Sequence, residues 1–146
     1  MSKKRFHRGT RRRILRGATR GTLFLEVARL RLQDATALIA AARYNCAMYI
    51  IGYAIECALK WAIAVRRGDI HLPPELEHHH WDRLLNASGL VNALRANPAL
   101  NALYSTLVDS WEPRMRYTAQ RYSRSQAESF QNQYTELFNW ILETAI

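Results

Sequence analysis

Residues 44–67 read YNCAMYIIGYAIECALKWAIAVRR, and this stretch decides the fold. It has no Pro, one Gly and apolar residues on nearly every side, the pattern of a helix surrounded by its own protein. At about 1.5 Å per residue the helix spans roughly 36 Å, long enough to touch every other element of a small domain. Glu56 and Lys60 sit deep in the apolar run, where a bilayer would charge heavily for both. The expectation is therefore the central helix of a soluble bundle, with no membrane partner.

The polar residues of this helix share one stripe. Tyr49, Tyr53, Glu56 and Lys60 follow the i, i+4, i+7, i+11 spacing, and Arg67 continues it. Glu56 precedes Lys60 by four residues, the favourable order for a pair worth about 0.2–0.5 kcal/mol on an isolated helix. That is too little to offset burying two charges. Either the pair reaches solvent at the bundle edge, or the stripe faces a cleft or subunit contact where other groups satisfy it.

Working outward, the chain of 146 residues suits one domain with its own core. Its formal charge of +9 is unevenly placed. Lys3, Lys4, Arg5, Arg8, Arg11, Arg12, Arg13, Arg16 and Arg20 all precede the first acid, Glu26, and from Gly21 onward acids and bases balance. A block of like charge with few apolar residues is expected to be a flexible, disordered arm over 1–21, followed by a helical domain over 22–146. Such an arm suits a polyanion: RNA or DNA first, an acidic protein next. No apolar segment follows the basic residues as in a secretory signal.

Cys46 and Cys57 lie eleven residues apart on the same helix, about 16 Å by rise, beyond disulfide reach. They are expected to be small buried residues in a reducing, cytoplasmic compartment.

In order, Thr22 is expected to cap a helix from Leu23 to about Arg43, with Phe24, Val27, Ala28, Ala35, Leu38, Ile39 and Ala42 on its apolar face. A break near Tyr44 and Asn45 leads into the central helix, which Gly68 ends before a loop to Pro74. Trp81, Leu84 and Leu85 predict a short helix closed by Gly89. Asn97 and Pro98 open another helix, with Leu100, Leu103, Tyr104, Leu107, Val108 and Trp111 on its buried stripe. A polar, aromatic connection follows Pro113. Ser125 and Glu128 then predict a capping box for the last helix, with Ala127, Phe130, Tyr134, Leu137, Phe138, Ile141 and Ala145 facing inward. No strand is expected, and the class is all-α.

Three motifs together resemble HEPN domains: GYAIECALK at 52–60, HHHWDRLLNASGL at 78–90, and Trp111-x-Pro113-x-x-Arg116-Tyr117. In the second, His79 stands where the family has its His, while His80 and Trp81 replace its Asp and Leu. The resemblance covers about Leu30 to Ile146. It implies a four- to five-helix up-and-down bundle that forms a homodimer through its long helices, without a cofactor. It also implies two occupations. Many such proteins are metal-independent ribonuclease toxins paired with a nucleotidyltransferase antitoxin; others bind nucleotides or partner proteins.

The ribonuclease branch carries an Arg followed a few residues later by a His near the start of a late helix. These groups supply proton transfer at the 2′-hydroxyl and charge for the phosphate. Here Arg66 and His71 have that spacing, but at the end of the central helix. At the late position Arg114, Arg116, Arg121 and Arg124 have no His after them. Arg66, His71 and Arg116 are thus the candidates for catalysis. Tyr53, Glu56, Lys60, His79, Arg116 and Tyr117 are the candidates for binding RNA or nucleotide. For Arg116 a structural role is also open, as the partner of Glu56.

Adjacent His78, His79 and His80 cannot all face one metal ion from a regular helix, and no metal site is expected. His79 is expected to cap or hydrogen-bond where the short helix begins. The leading function is RNA or nucleotide binding with little or no catalysis. A ribonuclease toxin and a protein-interaction module are the alternatives.

Overall fold

The computed structural model describes residues 21–68 and 72–145. The basic arm and His71 lie outside the described residues. Six α-helices follow in order: α1 Gly21–Ala40, α2 Tyr44–Arg67, α3 Trp81–Ser88, α4 Val91–Arg95, α5 Pro98–Ser110 and α6 Arg124–Thr144. Two 3-10 turns, Pro74–Leu76 and Pro113–Tyr117, complete the elements of the described residues, among which no strand occurs.

Helix α2 is the axis of the bundle, packing against α1, α3, α6 and the 113–117 turn. It is long and apolar enough to cross a membrane, and 67% of its most apolar window is buried inside the protein. Ile51, Ile55, Leu59 and Ile63 recur every four residues along it and are fully enclosed. They meet Leu84 of α3, Leu107 of α5, and Tyr134, Leu137 and Ile141 of α6 in one core. Small residues at Ala47, Ala54, Ala58 and Ala62 let the neighbouring helices approach closely.

Gly52 is thin for a particular reason. A Cβ there would stand 2.0 Å from the Trp111 indole, so the ring rests directly on the α2 backbone. Trp111 Nε1 donates to the Tyr49 carbonyl at 2.9 Å. This contact fixes the end of α5, and with it the connection that follows, against the middle of α2.

The structure corrects several expectations. Helix α1 already includes Gly21, so Thr22 lies inside its first turn, and the helix stops at Ala40 instead of near Arg43. The stop is a Schellman pattern: Ala42 N–H donates to Ile39 O at 3.0 Å and Arg43 N–H to Leu38 O at 2.8 Å. Ala42 takes the left-handed position with φ 58°, where glycine is usual, and is exposed instead of joining the apolar face. Without a glycine, nothing in the local sequence marked this stop.

The last helix is capped by Ser123 and Gln126, not by Ser125 and Glu128. Ser123 Oγ accepts from Gln126 N–H at 3.1 Å, while Gln126 Oε1 accepts from Ser123 N–H at 2.9 Å. Helix α4, a single turn and a half, carried too few residues to show a period. Neither cysteine is in the buried core. Cys46 sits exposed in the first turn of α2, and Cys57 is partly covered, with burial and the Glu56 charge pushing its thiol up to about 12.

The other helix ends fall as their residues require. Gly68 and Gly89 have φ 65° and 76°, the left-handed conformation that closes α2 and α3. Asn97 accepts from Leu100 N–H at 3.2 Å, with Pro98 at the first helical position.

Candidate functional site

The stripe on α2 is satisfied from within the fold. Glu56 is 3% exposed and uses both carboxylate oxygens. Lys60 Nζ donates to Oε1 at 2.6 Å, and His79 Nδ1 bonds Oε2 at 2.7 Å. Lys60 is buried too, with its ammonium 5.8 Å from the Phe24 ring of α1. His79 comes from the segment just before α3, and its side chain remains 53% exposed. The expected hydrogen bond of His79 thus exists, but it reaches across to α2 and does not cap α3. His80 is the N-cap residue and makes no side-chain cap bond.

Next along the stripe come the tyrosines. Tyr49 and Tyr53 hydroxyls lie 2.7 Å apart, and the Tyr53 ring meets His79 edge-on at 5.8 Å. Burial, the bond to Tyr49 and the nearby Glu56 charge all push the Tyr53 hydroxyl up, so it keeps its proton at neutral pH. Trp111 stacks on Tyr49 at 6.5 Å and meets Tyr53 edge-on at 5.3 Å, closing an aromatic wall behind the hydroxyl pair.

The outer end of this row is cationic. Arg116 Nη1 donates to Tyr49 Oη at 3.5 Å, and its guanidinium lies 4.8 Å from the Tyr117 ring. Bonds to Tyr49 and Tyr117 push Arg116 up, leaving it a permanent cation. Tyr117 is 76% exposed. Arg116 does not pair with Glu56, which His79 and Lys60 already occupy. Beside His79 and Trp111 a cavity of about 450 Å³ opens, bordered also by Asp82, Arg83, Glu112 and Pro113.

Of the six residues expected to bind ligand, all belong to this one neighbourhood, but they divide in role. Glu56 and Lys60 are enclosed and fully engaged with each other and His79, whereas His79, Arg116 and Tyr117 reach solvent. Tyr49 and Trp111 were missing from that set. Tyr49 shared the stripe, and Trp111 stood in the third motif; only their contact across α2 makes them part of the site. Arg66 lies elsewhere: its Nη1 donates to Ala87 O at 3.2 Å, tying the end of α2 to the end of α3.

His78 Nδ1 accepts from His80 N–H at 3.1 Å. Partial burial and the neighbouring His80 and Arg83 hold the His78 imidazole below its ordinary value. Among the described residues no three His, Cys, Asp or Glu side chains are placed to share a metal ion.

The three motifs of the sequence therefore meet on one face: Tyr53 and Glu56 from the first, His79 from the second, Trp111 and Arg116 from the third. A family model for the HEPN domain matches residues 22–144. The chain belongs to the HEPN family. No curated protein and no solved structure matches it. In this HEPN domain a buried carboxylate orients a solvent-facing imidazole, and a pair of tyrosine hydroxyls separates that imidazole from an exposed guanidinium. Such a face can accept a phosphate at Arg116, stack a base on Tyr117 and hydrogen-bond through His79.

Proposed function

We propose that this HEPN domain binds RNA or a nucleotide and performs little or no catalysis. The observation that carries the reading is the Arg116–Tyr117 pair, an exposed guanidinium held by Tyr49 and lying over an exposed aromatic ring. It presents a charge for phosphate and a flat face for a base in adjacent positions. The nine cations of the arm add phosphate contacts without sequence preference. If five or six of them each neutralise one phosphate, the logarithm of affinity for single strands falls with log salt at a slope of about −4. The working form is a homodimer, a reading supported by exposed Leu30 on α1 and Val65 on α2.

One observation favours a second reading, a metal-independent ribonuclease. His79 is held at Nδ1 by Glu56, the arrangement by which a carboxylate orients an imidazole for proton transfer. Arg116 would then carry the phosphate charge. Purified protein with end-labelled single-stranded RNA in EDTA, run on native and denaturing gels, separates the two. Retarded, intact RNA is expected. Discrete fragments that vanish in His79→Ala would establish the ribonuclease instead. RNA that stays free and intact would contradict the ribonuclease and the RNA form of the first reading, leaving only a free nucleotide as the ligand.

A further inference from the structure

A second cavity, of about 580 Å³, lies between the α1–α2 turn and the end of the connection leading to α6. Its size is that of small-ligand sites. Arg43, Tyr44 and Cys46 line it from the turn, and Arg121 and Tyr122 from the connection. Asn45 fastens the two sides together: its Nδ2 donates to Gln120 O, and its Oδ1 accepts from Tyr122 N–H at 3.0 Å. This clamp fixes the segment carrying Arg121 against the turn carrying Arg43. Arg124 Nε donates to Tyr44 Oη at 3.3 Å, and its own charge is balanced by Glu128 at 3.8 Å. No carboxylate lines the cavity. Among the described residues neither Arg43 nor Arg121 forms an ion pair.

We propose that this cavity holds a terminal phosphate monoester, of a free nucleotide or of a nucleic-acid strand, with Arg43 and Arg121 on the phosphate and Tyr44 and Tyr122 beside the adjoining base. Charge selects the end of a strand over its middle. A monoester carries about −1.5 to −2 at pH 7, which two guanidiniums match, whereas an internal diester carries a single charge. Sequence position links the two sites: Arg116 and Tyr117 precede Arg121 by five and four residues in the same connection. For a strand the proposal rests on the RNA reading above; for a free nucleotide it stands alone.

The test uses full-length protein with three labelled oligonucleotides of one sequence, ending in a 5′-phosphate, a 3′-phosphate or hydroxyls only, followed by anisotropy. AMP is titrated separately by calorimetry. At least one phosphorylated form is expected to bind about tenfold tighter than the hydroxyl form, the effect of one lost charge-assisted contact set. The double variant Arg43→Ala/Arg121→Ala should remove that advantage, so that phosphorylated and hydroxyl forms bind the variant equally, with the far-UV spectrum unchanged. AMP binding that needs both arginines, with no oligonucleotide binding, would support the site for a free nucleotide and remove the RNA reading. Equal binding of all three oligonucleotides with no AMP binding would overturn the site and leave the RNA reading standing. A phosphate advantage that survives the double variant would overturn it as well.

Discussion

Two regions of this HEPN domain carry charge in opposite ways. In the middle of α2, Glu56 and Lys60 are enclosed, paired at 2.6 Å, and completed by His79. By contrast, the connection after Trp111 exposes Arg114, Arg116 and Arg121, and Arg124 is exposed at the start of α6. The contrast separates charges that hold the fold from charges that face solvent. Buried charges paired inside the fold hold the helices in register. The exposed Arg116 guanidinium, fixed at one edge by Tyr49, faces no carboxylate among the described residues, whereas Arg124, fixed by Tyr44, also faces Glu128 at 3.8 Å.

The sharpest way to break this comparison is to remove Glu56. Glu56→Ala strands the Lys60 ammonium in the core and should destabilise the domain by about 3–5 kcal/mol in urea unfolding. The double variant Glu56→Leu/Lys60→Met should recover most of that loss, because a packed apolar pair costs no desolvation. By contrast Glu112→Gln, which breaks the exposed pair to Arg114, should leave the unfolding midpoint unchanged. A midpoint that fell equally in both would erase the distinction between the regions.

The two regions are joined where Trp111 lies on Gly52, and this joint gives the next effect. Gly52→Ala puts a methyl where the indole sits, so it should cost about 1–3 kcal/mol and shift the Trp emission. It should also loosen Arg116 from Tyr49 and weaken RNA binding more than the lost stability accounts for. Binding that stayed intact would show that the connection is placed by something other than Trp111.

At the far end of the connection, Ser123→Ala should cost about 1 kcal/mol through the lost cap, while Ser125→Ala should change stability by less than about 0.5 kcal/mol. The expected box was Ser125 with Glu128; Ser123 stands at the same spacing from Gln126, the box that forms. The choice between them is tertiary. Asn45 holds Tyr122 N–H, which leaves Ser123 as the first residue free to turn into the helix.

That case shows where the sequence was legible and where it was not. The bounds of α2 were readable because an uninterrupted apolar run ends at a glycine. Asn97-Pro98 likewise announced α5. The Glu56–Lys60 pair and its need for compensation were readable from spacing, but the compensating group was not. Both Arg116 and His79 are distant from Glu56 in sequence, and only the packing of α3 on α2 brings the imidazole to Oε2 while Trp111 and Tyr49 hold the arginine further out. The end of α1 was hidden for a local reason, since an alanine occupies a position that glycine normally marks.

The smallest effect follows from that alanine. Ala42→Gly relieves a left-handed backbone at an exposed residue and should stabilise the domain by about 0.5 kcal/mol, read as a small rise in the urea midpoint. A loss of stability there would mean that the turn gains more from a stiff unfolded chain than it loses to strain.

The central claim is that Arg116 serves recognition and not the fold. Its most direct test is the affinity of Arg116→Ala for labelled single-stranded RNA, measured beside its urea unfolding curve. The account predicts an affinity about tenfold weaker, the scale of a lost charge-assisted contact, with an unfolding curve that overlays the parent's. Unchanged affinity, or a weakening matched by lost stability, would contradict it.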